Sequence, residues 1–181
     1  MSLLPGKKRA EVKHERIKDD WYTENRWAAE QLFGHVRFAG PIHDPACGEG
    51  RIAVAARSAG YQATGSDLID RGFGETGIDF LTDDRPRTTL VFNAPYKQNE
   101  EFIAHALEVA SYAVAAIVRI PFLCGQERFW GLYQPSPPSL VLACSQTGQH
   151  ATRWHWCARG RRYRGLLLAD LEPDSAATPS G

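Results

Sequence analysis

Apolar runs alternate with helix-like segments from Pro41 to Cys144, and this alternation limits the fold more than any other feature of the chain. Pro41 to Asp44 is a short apolar strand candidate. A glycine-containing loop follows, then an alanine-rich helical stretch, Arg51 to Ala59, that Gly60 closes. Tyr61 to Asp67, Gly77 to Leu81 and Thr88 to Phe92 read as further strands. Asn99 to Ser111 carries Phe102, Ile103, Ala106, Leu107 and Ala110 at helical spacing. Tyr112 to Ile120 is rich in Ala and Val, as a strand buried on both faces should be. Leu140 to Cys144 makes a sixth strand. Strands joined through helices run parallel, so the pattern predicts an α/β, doubly wound, Rossmann-like fold: a mostly parallel sheet with helices on both faces. The 181 residues suit one such domain. Its expected organisation is a flexible N-terminal segment over 1–18, the folded domain over 19–146 and an atypical tail over 147–181.

In a sheet of this kind ligands bind beyond the carboxyl ends of the strands, where the strand order reverses. The first strand ends in Asp44-Pro45-Ala46-Cys47-Gly48-Glu49-Gly50. Gly48 and Gly50 let the backbone approach a ligand closely at the start of the next helix. Asp67 ends the second strand near the offset of about 20 residues at which a ribose-binding carboxylate belongs. Ala53 stands where a dinucleotide fingerprint has its third glycine, so the loop suits a nucleoside without a pyrophosphate. The fourth strand delivers Asn93-Ala94-Pro95-Tyr96, an amide and an aromatic ring, to one patch of surface. Plainer readings exist for each piece: Asn and Pro are common turn residues, and Asp67 and Asp79 fit as strand-end caps.

Taken in order, DPACGEG, SDL, IDFL and NAPY resemble the adenine-N6 branch of S-adenosylmethionine-dependent DNA methyltransferases, in particular the small phage- and prophage-type class I members. The resemblance runs from about Trp21 to Gln146 and implies the following roles. Tyr22 and Thr23 would line the cofactor, with Glu24 standing where the family has proline. Asp44, Pro45, Ala46, Cys47, Gly48 and Gly50 would surround its methionine part. Asp67 would accept the ribose hydroxyls and Leu68 would pack on the adenine. Asp79 would take the adenine amino group, with Phe80 against the ring.

The resemblance also assigns chemistry to Asn93, Ala94, Pro95 and Tyr96. The Asn93 oxygen and the following carbonyl would accept the two hydrogens of an exocyclic amine, leaving its lone pair free to attack. Holding a poor nucleophile at near-attack distance supplies much of the rate. Tyr96 would stack on an adenine turned out of the DNA duplex. No metal is required. The family writes Pro where this chain has Ala94, which keeps the carbonyl but loses the fixed φ that positions it. The expected function is methyl transfer to adenine N6 of DNA. The alternatives are methylation of a protein glutamine or an RNA base, and a catalytically impaired relative that binds nucleic acid or a partner.

Other features narrow the setting. The formal net charge is zero, which argues against a strongly basic nucleic-acid binder. No apolar run approaches the roughly 20 residues of a membrane span. The N-terminus has no apolar stretch of signal-peptide length, which predicts a cytoplasmic protein. The four cysteines form no CxxC pair, and His150, His155 and Cys157 lack a fourth ligand at suitable spacing, so no metal site is expected. No segment is long enough for a separate target-recognition domain, which leaves Lys97 to Asn99 and Pro121 to Arg128 as candidate DNA-contacting loops.

After Ser145-Gln146 the chain changes character, to TGQHATRWHWCARGRRYRGLLLADLE. The family fold would continue through a hairpin into an aromatic seventh strand, inserted antiparallel between strands five and six. Codons permitted from Thr147 onward, read one nucleotide out of frame, yield Arg-Ala-Ser-Met-Pro-Pro-Gly-Gly-Thr-Gly, the loop that the family has there. The sequence therefore points to a one-nucleotide insertion near codon 147. The competing reading is a native divergent tail in which Leu166 to Leu168 form a weaker strand.

Overall fold

The computed structural model describes residues 26–143, 152–154 and 166–169. Tyr22 and Thr23, and the group His150, His155 and Cys157, lie outside these residues. The described chain builds one sheet from β1 (Ile42–Asp44), β2 (Ala63–Asp67), β3 (Glu75–Thr76), β4 (Arg87–Phe92), β5 (Ala110–Ile117), β6 (Leu140–Ala143), β7 (Thr152–Trp154) and β8 (Leu166–Ala169). The strand order is β3-β2-β1-β4-β5-β8-β6-β7. The first five are all parallel. Chain order runs outward from β1 to β3 on one side and from β4 to β5 on the other, so the order reverses between β1 and β4.

Side-chain alternation along the strands feeds two cores. On one face α1 (Arg26–His35) and α2 (Arg51–Ser58) bury Leu32, Phe33, Ile52 and Ala56 against Ile42, Val91, Ala115 and Ile117. On the other, α3 (Asn99–Val109) buries Phe102, Ile103 and Ala106 against Leu90, Phe92, Val114 and Ala116. Each fully buried Leu, Ile or Phe contributes about 1.5–3 kcal/mol. The helix α1 was not among the expected elements, although Ala28, Ala29, Leu32 and Phe33 form its buried face at helical spacing.

Several boundaries differ from the expected ones. Gly60 does stop α2, at φ 92°, with its N–H on the Arg57 carbonyl. The third strand lies at Glu75–Thr76 rather than Gly77 to Leu81. There, Gly77 takes φ 74° and Asp79 caps a 3₁₀ turn, Phe80–Thr82, so the chain leaves the sheet sooner. Helix α3 ends at Val109 because Ala110 switches to extended backbone and opens β5 without a loop. Pro121 helps to break the far end into a 3₁₀ turn, Ile120–Leu123. The slot between β5 and β6 is filled by β8, yet β8 runs parallel to both, not antiparallel. The cause is chain direction. β7 pairs antiparallel with β6, and a second reversal brings β8 back to the original direction.

Beneath the strand ends lies a polar pair of strands. His43 on β1 is buried, with Nδ1 2.9 Å from the Thr64 hydroxyl and Nε2 3.0 Å from the Ser66 hydroxyl on β2. Burial, reinforced by the positive charges of Arg87 and Arg85, lowers its pKa to about 4. The folded protein thus binds this proton more weakly than the unfolded chain does. Stability should be complete above pH 6.5 and fall as pH drops toward 4, by about 3 kcal/mol in total. Denaturant titrations at pH 7 and 4.5, with His43→Gln as the variant that removes this contribution, check the expectation.

Candidate active site

Because β1, β2 and β4 are parallel, their carboxyl ends share one edge of the sheet, and Asp44, Asp67 and Asn93 gather there. The loop after β1 is tightly tied. The Ala46 N–H donates to Asp44 Oδ1 at 3.1 Å, the Cys47 N–H to the Ser66 carbonyl at 3.0 Å and the Gly50 N–H to the Cys47 carbonyl at 2.6 Å. Gly50, at φ 80°, opens α2 directly beneath the Phe73 ring, and a Cβ there would lie 2.4 Å from it. Gly65 is equally confined, since its Cβ would fall 2.5 Å from that of Cys47. Pro45, Cys47 and Gly48 are buried, and Ala46 is half-buried.

Asp44 is wholly buried, and among the described residues its Oδ2 has no hydrogen-bond partner. Burial disfavours the carboxylate, and the nearby charge of Asp67 adds to the effect, so the pKa rises to about 8. Asp67 is only half-buried. Its Oδ2 accepts from the Gly48 N–H and its Oδ1 from the Ile69 N–H, both at 2.9 Å. A carboxylate has about four acceptor positions, so Asp67 retains capacity for two further donors. Leu68 beside it is 61% exposed, an apolar surface next to those acceptors.

Asp79 is exposed, and its Oδ1 caps its own 3₁₀ turn through the Leu81 N–H at 3.1 Å, the role the plainer reading gave it. Phe80 is buried among Phe92, Phe102 and His105, with ring centroids 4.9–6.3 Å away. The ring thus belongs to the core, and the surface it was expected to offer a ligand is largely covered.

At the end of β4, Asn93 is half-buried, and among the described residues its amide makes no hydrogen bond. Ala94 is buried in the second core. Pro95 turns the chain into a 3₁₀ turn, Tyr96–Gln98, closed by the Gln98 N–H on the Pro95 carbonyl at 2.9 Å. Tyr96 is half-buried, and the Arg119 guanidinium carbon lies 4.2 Å from its ring centroid. Of the two candidate DNA-contacting loops, Lys97 and Gln98 are exposed, but Asn99 is buried at the head of α3. In the other, Phe122 is buried and Arg128 pairs with Glu100 of α3, which ties this segment to the loop after β4.

Sequence reasoning missed Arg119 and Phe73. Arg119 had a readable signal, since it closes the apolar run of the fifth strand as Asn93 closes that of the fourth. Phe73 had none, because only the packed loop shows it over Gly50. Among the described residues, no helix is long and apolar enough to cross a membrane, and no three His, Cys, Asp or Glu side chains converge as a metal site. No protein-family model matches this chain, and no curated protein matches it.

Proposed function

We propose that this chain has a Rossmann-like class I methyltransferase fold and transfers a methyl group from S-adenosylmethionine to adenine N6 of DNA. The observation that carries the reading is the Asn93 amide. Among the described residues it has no hydrogen-bond partner, and it stands at the end of β4, across the reversal point from two converging acids. Asp44, with its orphaned buried oxygen, fits the cofactor's ammonium group. Asp67, with spare acceptor capacity beside exposed Leu68, fits a ribose and its base. When bound, the cofactor supplies a methyl group activated on a sulfonium.

The rest is the chain's own work. Asn93 Oδ1 accepts one hydrogen of the target amine and the Ala94 carbonyl the other, which orients the nitrogen lone pair. Tyr96 supplies a stacking surface that offsets part of the few kcal/mol needed to unstack the base. Mass spectrometry of N6-methyladenine in DNA from cells expressing the protein, against Asn93→Ala, tests the reading. Methylated RNA or glutamine with unmodified DNA would redirect it to another amide or amine acceptor.

Cofactor binding has its own test. Asp67→Ala removes acceptors for a charge-assisted pair of hydrogen bonds and should weaken S-adenosylhomocysteine by about 1.5–3 kcal/mol. Calorimetry giving equal affinities for wild type and variant would remove Asp67 from the site.

A further inference from the structure

The segment after β2 folds back onto the loop after β1. The Cys47 thiol donates to the Phe73 carbonyl at 3.4 Å, and the Phe73 ring packs beside Gly50. Gly74, at φ 77°, permits this return, since a Cβ on it would fall 2.4 Å from the Gly65 carbonyl oxygen. The ring is fixed from elsewhere. It packs against the first core, and the Arg57 guanidinium carbon lies 5.3 Å from its centroid. Arg57 in turn donates to the Ala63 carbonyl, through Nε at 3.0 Å and Nη2 at 2.7 Å.

Cys47 and Gly48 are tied to β2 through the Ser66 carbonyl and the Asp67 carboxylate. Gly50 instead bonds to Cys47 and Val54, within its own loop and helix. On the side where a Cβ would point, its nearest neighbours are atoms of the Phe73 ring. A glycine has the widest choice of backbone conformations, so this corner of the loop relaxes once the ring is removed. We propose that Phe73 is a positioning residue: it holds Gly50, and with it the start of α2, in the conformation that receives the amino-acid end of S-adenosylmethionine. This rests on the reading of the protein as a methyltransferase, with Asp44 to Gly50 around that end of the cofactor and Asp67 and Leu68 at its nucleoside.

Calorimetry on the full chain compares two ligands. One is S-adenosylhomocysteine; the other is methylthioadenosine, which keeps the nucleoside and the sulfur but has no amino-acid group. Phe73→Ala should weaken the first about tenfold and the second less than about twofold, because the loosened loop meets only the amino-acid end. Phe73→Leu, which restores apolar bulk, should bring the loss of S-adenosylhomocysteine back to about threefold. Gly50→Ala should cost less affinity in a Phe73→Ala background than in the wild type, because its new Cβ no longer meets a ring. At saturating cofactor kcat should not change, so the loss shows in KM alone.

A ring that merely supports the fold would weaken both ligands alike, and that result overturns the proposal. Equal costs of Gly50→Ala in both backgrounds overturn it as well. Should Phe73→Ala not fold, Phe73→Leu decides in its place: weakening of S-adenosylhomocysteine alone supports the role, and any other result overturns it. Wild type that binds S-adenosylhomocysteine, with Phe73→Ala indistinguishable from it, defeats this inference alone. Wild type that binds neither ligand defeats the functional reading and this inference together.

Discussion

Asn93→Ala is expected to lower methyl transfer at least about a hundredfold while changing S-adenosylhomocysteine affinity by less than about twofold. The separation follows from where the amide stands. Asn93 lies one residue beyond β4, whose Leu90, Val91 and Phe92 are fully buried, so the strand positions it without its help. Its side chain bonds to no described residue, so its removal breaks no hydrogen bond among them. What is lost is an acceptor that matters only when an amine must be oriented for attack. Single-turnover rates at saturating cofactor, read beside calorimetric affinities, make the comparison. Transfer that survives the substitution would show that Asn93 does not hold the nucleophile.

Asp44→Asn should weaken S-adenosylmethionine by about 3 kcal/mol, roughly two orders of magnitude in Kd, because it leaves a buried ammonium without its counter-charge. The same substitution should raise the melting temperature of the ligand-free protein. In the wild type, the folded pKa of Asp44 is raised from 3.8 to about 8 by burial and by Asp67, so ionisation opposes folding increasingly as pH climbs through that window. The gain from Asn should accordingly be larger at pH 8 than at pH 5. Burial favours the neutral acid in the free protein, whereas an ammonium ligand requires the carboxylate. Binding should thus expel a proton wherever the acid is neutral in the free protein, and the release should fade as pH rises. Calorimetry in buffers of different ionisation enthalpy measures it directly. Affinity that is unchanged in Asp44→Asn, with no proton release at any pH, would mean that Asp44 is not the group that meets the ammonium.

Much of this site was readable because its signals are local. Unbroken apolar runs mark β4 and β5, Gly60 marks the end of α2, and the residues that close each run fall at one sheet edge once the strands are parallel. Other features depend on partners far away in sequence. Asp79 and Gly77 sit in what reads as a strand, yet turn chemistry wins there and β3 moves back to Glu75–Thr76. Phe80 looks available to a ligand until Phe102 and His105, more than twenty residues later, close around it. The tail shows the same limit. Leu166 to Leu168 read as a weak strand, and β8 occupies the expected slot, but its direction depends on how many times the chain reverses after β6.

His43 has a role beyond its titration. Its two ring nitrogens meet hydroxyls at Thr64 and Ser66, two residues apart on the same side of β2, while Gly65 between them offers none. The imidazole therefore works as a gauge of alignment. If β2 slid forward by one residue, Ala63 and Gly65 would stand in place of Thr64 and Ser66 and leave both nitrogens unmatched in a buried setting, at a cost of about 1–3 kcal/mol for each. One residue further along β1 sits Asp44, and one residue beyond Ser66 sits Asp67. Asp44 lies opposite Gly65 with Asp67 two residues further along β2, an offset held by a histidine just below them that accepts only one setting of the strands.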